Sequence, residues 1–282
     1  MSFTTLITAA QLAPWIGSSD LLILDCRHDL ADLSRGERAY VQGHIPGAQY
    51  ADLNRDLSDL STPGLGRHPL PDASTFAATL ARWGCRSQQQ IVVYDDAGGA
   101  IAARAWWMLR LIGHDAVAVL DGGMAAWLAA GFGMDSEIPK PEPTRVVVNF
   151  ATSKIVYFDE LSQKMQSGKV LLLDARGAPR FRGDVEPLDA VAGHIPGAIN
   201  RPFSSNLAAD GNFKSAPLLR DEFAALLGTH SANTLIHSCG SGVTACHNLL
   251  AMEYAGLAGS RVFAPSWSGW ISDPLRPAAR GE

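Results

Sequence analysis

The chain has 282 residues, of which 47% are hydrophobic and 18% charged, and its formal net charge is -5 at pH 7. This size suits one large domain or two of ordinary size, and the composition is that of a globular protein with an ample core. Mild acidity and the lack of a basic run argue against a nucleic-acid partner, and no apolar stretch is long enough to span a bilayer. The amino terminus lacks the basic region and cleavage site of a signal peptide, so we expect a cytoplasmic protein.

Helices and strands alternate in the predicted structure of the first half. The predicted strands are short apolar runs, which are typical of buried parallel strands; they cover residues 21–25, 91–94 and 116–120. The predicted helices lie between them; they cover residues 6–16, 72–83 with Asp72 as N-cap, 100–112, and a short segment through Trp127. A polar segment over 27–38 carries no clear periodicity.

The second half repeats the first. The hexapeptide Gly-His-Ile-Pro-Gly-Ala at 43–48 recurs letter for letter at 193–198, and the run at 170–174 echoes the strand at 21–25. A hexapeptide that recurs among other matching landmarks indicates two copies of one domain. In this alignment Asp96 of the first copy takes the position of Cys239, the candidate nucleophile of the second copy. We therefore expect the first copy to be catalytically inert.

We therefore predict two tandem α/β domains, each with a mainly parallel sheet and helices on both faces. The proline-rich stretch 137–145 is the predicted linker between an N-terminal domain over 1–136 and a C-terminal domain over 146–282. Ligands of such sheets bind beyond the carboxyl ends of the strands, and that is where the sequence places Cys239.

The loop after the strand-like run at 234–236 is the candidate active site. It contains Cys239, two glycines (Gly240 and Gly242), two hydroxyl residues (Ser241 and Thr244) and Val243 before a predicted helix. Glycines allow positive φ, so successive N–H groups can point into one anion-binding bowl at the start of the helix. Such surroundings favour the thiolate form of cysteine, which is the nucleophilic form.

The other cysteines lack the spacing of a metal or dithiol site. No C-x-x-C pair occurs, and Cys26 and Cys85 follow apolar runs, so we interpret them as buried small hydrophobic residues. Cys246 lies about two helical turns after Cys239 and is poorly placed to act as its resolving thiol. We expect no metal and no cofactor.

These motifs resemble the tandem rhodanese-type sulfurtransferases over essentially the whole chain. The loop Cys-Gly-Ser-Gly-Val-Thr-Ala is most similar to the 3-mercaptopyruvate sulfurtransferase branch, because the thiosulfate branch usually has a basic pair where this chain has Gly240 and Ser241. A cysteine phosphatase would need an arginine six positions after Cys239, where Ala245 stands, so phosphatase activity is excluded.

The resemblance implies a persulfide mechanism. Cys239 would be the nucleophile, and the N–H groups of Gly240, Gly242, Val243 and Thr244 would cradle the persulfide anion. Ser241 would work with His68, which matches the family's histidine, to relay a proton. The acid that partners this histidine stays open: Asn54 stands where the family usually has a carboxylate, and Asp52 or Asp56 could substitute.

Arg180 matches the family's substrate-binding arginine, and its guanidinium group suits an anionic donor. The 3-mercaptopyruvate branch has a second arginine after a Glu-Pro pair, but Leu188 stands there in this chain. Arg182 or Arg201 could replace the missing charge. His44 and His194 occur in identical turns of both copies, so we interpret them as structural rather than catalytic.

The leading hypothesis is an enzyme that transfers sulfane sulfur from 3-mercaptopyruvate, a small anionic donor, to a thiol such as thioredoxin or to cyanide. The first alternative is the same chemistry with thiosulfate as donor. The second alternative is a non-enzymatic persulfide carrier or interaction module. The sequence leaves the acceptor and the oligomeric state open.

Overall fold

A computed structural model describes residues 2–282 of the chain, which divide into two compact units. The first unit comprises the residues up to Asp59 together with Leu70–Ala151 and Ala209–Phe213. The second comprises Leu60–Pro69, Thr152–Ala208 and Lys214–Glu282. The segment Leu60–Pro69, which precedes most of the first unit in the sequence, therefore packs as part of the second.

The first unit is built on a five-stranded parallel sheet. Its strands are β1 (Leu6–Ile7), β2 (Leu21–Asp25), β3 (Gln49–Tyr50), β4 (Gln90–Tyr94) and β5 (Val117–Leu120). The spatial order is β1-β5-β4-β2-β3. Every residue of the central strand β4 is buried, as expected for a parallel strand that is covered by helices on both faces.

The helices of the first unit connect these parallel strands. They are α1 (Ala9–Leu12), α2 (Arg35–Gln42), α3 (Ala73–Arg82), α4 (Ala102–Leu111) and α5 (Gly123–Ala129). Asp72 caps α3 as predicted, because its side chain accepts the N–H of Thr75 at 2.8 Å. Trp127 of α5 is buried in the core against the sheet.

The second unit repeats this architecture. Its strands are β6 (Ile155–Val156), β7 (Leu171–Asp174), β8 (Ala198–Asn200), β9 (Leu235–Ser238) and β10 (Arg261–Phe263), in the parallel order β6-β10-β9-β7-β8. Its helices are α6 (Phe158–Gln166), α7 (Ala178–Arg182), α8 (Ala216–Leu227), α9 (Ala245–Tyr254) and α10 (Ser266–Trp270). Trp267 and Trp270 belong to its core.

The structure confirms two α/β copies with parallel sheets and corrects one local prediction. The segment predicted as one helix over 6–16 begins as strand β1, and only Ala9–Leu12 is α-helical. The polar segment over 27–38 contains the start of helix α2. The domain boundaries 1–136 and 146–282 stay a prediction. Within residues 2–282, no helix combines the length and the apolar character that a membrane span requires.

Candidate active site

Cys239 directly follows the carboxyl end of β9, the central strand of the second sheet. Only 2% of Cys239 is exposed to solvent. The strand ends at Ser238 and helix α9 begins at Ala245, so a six-residue loop separates them. This is the location predicted for a ligand site in a parallel α/β sheet.

The backbone of Cys239 is fixed from helix α10. The Ser266 hydroxyl accepts the N–H of Cys239 at 3.1 Å and donates to the carbonyl of Phe263 at 3.0 Å. The N–H of Trp267 donates to the carbonyl of Cys239 at 3.0 Å. Ser266 has φ +52°, a left-handed conformation that is uncommon for a residue with a side chain. Both polar groups of the cysteine backbone are thus held by the start of one helix.

Four backbone N–H groups of the loop have no acceptor within residues 2–282. Gly242 adopts φ +78°, which turns the backbone as predicted. For the N–H groups of Gly240, Ser241, Val243 and Thr244, no residue of the described part of the chain supplies an acceptor. The loop therefore holds four backbone N–H donors, within five residues of Cys239, that are available to a ligand.

Gly240 differs from Gly242 in its backbone conformation. It does not adopt positive φ, but a Cβ atom at this position would lie 3.0 Å from Nη2 of Arg67 and 3.6 Å from both terminal nitrogens of Arg180. A Cβ atom at position 240 would therefore force the Arg67 guanidinium group to move by a few tenths of an ångström and would be in van der Waals contact with that of Arg180. The glycine provides space for cations beside the nucleophile.

Strand register shows which residue of the first unit corresponds to Cys239. Asp25 pairs with Tyr94 as Asp174 pairs with Ser238, so the residues that follow, Asp95 and Cys239, correspond. The backbone hydrogen bonds show the same correspondence. The N–H of Met124 donates to the carbonyl of Asp95, and the N–H of Trp267 donates to the carbonyl of Cys239. The alignment of Asp96 with Cys239 was wrong by one position, because the loop of the first unit is one residue longer.

The Asp95 carboxylate occupies its own loop. One oxygen accepts the N–H groups of Ala97 and Gly99 at 2.9 and 2.8 Å, and the other accepts those of Ile101 and Ala102 at 2.8 and 2.9 Å. Burial raises the pKa of Asp95, and the four N–H bonds oppose that rise. The first unit thus carries a permanent acceptor at the position where the second unit carries sulfur.

Ser241 and His68 meet in the second unit. The Ser241 hydroxyl and Nδ1 of His68 share a hydrogen bond of 2.7 Å, and both residues are buried. His68 reaches this position because the segment Leu60–Pro69 packs on α10: the N–H of Arg67 donates to the Ser268 hydroxyl at 3.0 Å. The Ser268 N–H in turn donates to the carbonyl of Gly240 at 2.9 Å. Ser268 therefore links the segment to the cysteine loop.

Arg180 lies over Gly240, close to Cys239, as the sequence predicts, and it is held by carboxylates. It donates to Glu186 at 2.7 Å and to Asp189 at 3.1 Å. Burial would raise the pKa of Glu186, but the hydrogen bond from Arg180 and the N–H groups of Leu188 and Asp189 outweigh it, so that the pKa is lowered. Glu186 and Asp189 are thus the hydrogen-bond partners that position the arginine.

The second cation beside the loop is Arg67, which sequence reasoning missed. Arg67 pairs with the other oxygen of Asp189. Arg182 instead pairs with the exposed Asp184, and Arg201 pairs with Glu222. Arg67 directly precedes His68 in the sequence, and this adjacency to a candidate catalytic residue could have identified it.

Other candidate residues have local roles. Nδ1 of His44 bonds the carbonyl of Tyr40 and Nδ1 of His194 bonds that of Phe181, each at 2.8 Å, which confirms the structural interpretation. Asp56 forms ion pairs with Arg55 and Arg82.

The Asp52 side chain accepts the N–H groups of Asn54 and Arg55. The acid that partners His68 stays open.

All four cysteines are free and buried. Burial raises the pKa of Cys85 to about 11 and that of Cys26 well above its ordinary value, so both thiols are unreactive, as predicted. The Cys246 thiol lies 3.3 Å from the carbonyl of Gly242, to which it donates.

A family model described as a rhodanese-like domain matches residues 8–130 and again residues 158–273. The chain belongs to the rhodanese-like family. A relative from Pseudomonas aeruginosa, named "Probable 3-mercaptopyruvate sulfurtransferase", is 48% identical over 100% of both chains. A relative from Mycobacterium tuberculosis, named provisionally as a thiosulfate sulfurtransferase, is 44% identical over 98% of this chain and 97% of its own.

Among solved structures, the chain is similar to the 3-mercaptopyruvate sulfurtransferase of Escherichia coli. The TM-score is 0.82 at 32% identity, and the match covers 94% of this chain and all of the other. These comparisons confirm the predicted fold of two rhodanese-like domains. The predicted enzyme class, sulfurtransferase, is the class that these relatives are named for.

Proposed function

We propose that the second unit transfers sulfane sulfur from 3-mercaptopyruvate through a persulfide on Cys239. The observation that carries this proposal is the 2.7 Å hydrogen bond between Ser241 and His68. Ser241 lies two residues after Cys239 in the loop. Departure of sulfur from 3-mercaptopyruvate leaves a carbanion, or enolate, that must be protonated. Sulfite, which leaves thiosulfate, needs no such proton.

The Cys239 thiolate attacks the thiol sulfur of the donor. An S–S bond forms, the C–S bond breaks, and its electron pair passes to the enolate of pyruvate. The proton of the donor's thiol is then transferred to the enolate carbon, and Ser241 with His68 provides the relay. The products are pyruvate and the Cys239 persulfide anion, so no proton is gained or lost overall.

The loop stabilises the persulfide anion. Its outer sulfur lies two bonds from Cβ, as do the carboxylate oxygens of Asp95, which receive four N–H bonds in the first unit. The unpaired N–H groups that follow Cys239 would serve the same purpose without an added cation. An acceptor thiolate or cyanide then attacks the outer sulfur and regenerates the Cys239 thiolate.

Thioredoxin and cyanide are the acceptors we propose, and the cytoplasm, where thiols stay reduced, is the proposed location. The test compares kcat/KM for 3-mercaptopyruvate and thiosulfate with cyanide as the acceptor. We expect a clear preference for 3-mercaptopyruvate, and a clear preference for thiosulfate would refute the assignment.

Thiosulfate is the second candidate donor, since two guanidinium groups beside Gly240 also suit a small dianion. A third reading, a carrier that delivers persulfide without catalysing turnover, is tested with Cys239→Ser. Loss of turnover in this variant is the result expected for the enzyme. Intact turnover would exclude Cys239 as the nucleophile.

A further inference from the structure

The loop that follows helix α7 reverses the usual polarity of a surface segment. Over residues 185–191, every exposed residue is apolar; the exposed residues are Val185, Pro187, Leu188, Ala190 and Val191. The side chains of the two acids in this stretch, Glu186 and Asp189, are only 4% and 3% exposed. Surface loops ordinarily expose their acids and bury their large apolar side chains. The five exposed residues form one surface feature, the apolar rim.

Ion pairs explain why the two acids face inward. Glu186 pairs with Arg176 at 3.5 Å and with Arg180 at 2.7 Å. Asp189 pairs with Arg67 and, at 3.1 Å, with Arg180. Because both carboxylates are held by arginines, the loop is anchored from the inside and its outer surface carries no charge.

The apolar rim is connected to the nucleophile through one tryptophan. The carbonyl of Val191 accepts the Nε1–H group of Trp267 at 2.9 Å, and the N–H of Trp267 donates to the carbonyl of Cys239 at 3.0 Å. Only 2% of Cys239 is exposed, so an acceptor that reaches its sulfur also contacts the loops around it. The rim is one of the surfaces that such an acceptor meets.

Small and macromolecular acceptors differ in what they gain from this rim. Cyanide is a small anion with no apolar surface to bury. A folded protein whose thiol lies in an apolar surface removes both its own surface and the rim from water when it docks. An exposed apolar patch beside a reactive group, with its neighbouring charges neutralised, therefore suits a protein partner rather than an ion.

We propose that the apolar rim is the docking surface for a protein thiol acceptor, with Leu188 at the centre of the segment. The inference rests on the proposed function and names the acceptor class of its second half. The acceptor thiolate forms a bond to the outer sulfur of the Cys239 persulfide and the S–S bond breaks. Its electron pair returns to the Cys239 thiolate, and the acceptor leaves as a persulfide. Position 188, where the resemblance predicts an arginine, thus serves the acceptor rather than the donor.

The test measures the rate of pyruvate formation from saturating 3-mercaptopyruvate with two acceptors, reduced thioredoxin and cyanide. The variants Leu188→Gln and Val185→Thr each replace an exposed apolar side chain by a polar one of similar size. Leu218→Gln is the matched control, because Leu218 is 47% exposed against 41% for Leu188 but lies on helix α8, outside the rim. The melting temperature and the molar mass in solution are measured for each protein.

We expect Leu188→Gln to raise KM for thioredoxin roughly tenfold, the loss typical of one apolar contact near the centre of an interface. Val185→Thr should raise it severalfold. Neither variant should change KM for cyanide, KM for 3-mercaptopyruvate or the melting temperature, and Leu218→Gln should leave every constant at the wild-type value.

Three results would overturn the inference. The first is an unchanged KM for thioredoxin in both rim variants. The second is an equal rise in KM for cyanide, which would indicate damage to the site rather than loss of a docking surface. The third is a rim variant that alters only the molar mass, which would identify a second copy of the chain as the occupant. A wild type that uses cyanide but not thioredoxin also overturns the inference, whereas a wild type that forms no pyruvate with either acceptor refutes the proposed function.

Discussion

Loading Cys239 with sulfur should stabilise the second unit against unfolding. In the resting structure, the N–H groups of Gly240, Ser241, Val243 and Thr244 have no acceptor within residues 2–282. A persulfide anion at Cys239 supplies one. The first unit shows the geometry, since the Asp95 carboxylate receives four N–H bonds of 2.8–2.9 Å from the corresponding loop.

The size of the effect follows from these bonds. Hydrogen bonds to a charged acceptor contribute about 1.5 kcal/mol or more each, so four give about 6 kcal/mol, against a cost of several kcal/mol for burying an anion. A net gain of about 2 kcal/mol in the free energy of unfolding corresponds to a rise of roughly 4–8 °C in melting temperature for a domain of this size.

The assay measures the melting temperature before and after incubation with a sulfur donor, with mass spectrometry to verify the addition of one sulfur atom. Treatment with cyanide removes the outer sulfur and should restore the original melting temperature. Cys239→Ser, treated in the same way, is the control for effects at other sites. A verified persulfide with an unchanged or lower melting temperature would refute the proposed role of the loop N–H groups.

Three further predictions follow from the second unit. Ser241→Ala and His68→Gln should each lower kcat for 3-mercaptopyruvate roughly a hundredfold, and the double variant should lose little more, because the pair acts as one relay; additive losses would contradict the relay. Gly66→Ala should lower activity strongly, since its Cβ would lie 2.6 Å from the carbonyl of Pro265 and displace the Leu60–Pro69 segment, whereas Gly64→Ala, with similar φ and open space, should retain activity. Burial lowers the pKa of His237 to about 3, so below pH 6.5 the unfolded state binds a proton that the folded state does not, and stability falls as the pH decreases. Between pH 6.5 and 5 the loss in the free energy of unfolding is about 2 kcal/mol. His237→Gln should remove this part of the pH dependence of stability in acid unfolding curves.

The repeat made most of the fold predictable from the sequence. Short apolar runs that alternate with helices fix a parallel sheet, and the hexapeptide at 43–48 and 193–198 fixes two copies. Strand β1 was missed because its two residues, Leu6 and Ile7, are too few for a period of two to be visible beside the helical pattern that follows.

The candidate site was predictable where neighbouring residues define it. Cys239 and its loop came from the local residue pattern, whereas the pairing of Ser241 with His68 was implied by the family resemblance; the structure places these two side chains 2.7 Å apart. The catalytic roles of these residues stay predictions. Asp95 was missed because the first loop has one more residue, so the offset between the copies is 144 at Tyr94 and Ser238, before the loop, but 143 at Ala102 and Ala245, where the helices begin.

Arg67 was missed for a physical reason. The sequence candidates for a second cation, Arg182 and Arg201, lie in the same domain as Leu188. Arg67 belongs to a segment that is remote in sequence and reaches the loop through contacts with Ser268 and Asp189. A single sequence shows which residues are cationic, but it does not show which of them meet over Gly240.

The two copies of the loop show what makes one of them an enzyme. Asp95 carries its negative charge on a side chain that cannot transfer it, so the loop of the first unit is permanently satisfied and serves only to hold the fold. The Cys239 side chain has no pair of carboxylate oxygens, and in the proposed mechanism it gains an outer sulfur from a donor. In this mechanism the N–H groups of Gly240, Ser241, Val243 and Thr244 stabilise the persulfide anion, which exists only during turnover. Stabilising a species that forms only during the reaction accelerates its formation. The two loops therefore differ by cysteine in place of aspartate and by one residue in length, and only the second has His68 and the two arginines at the same strand end.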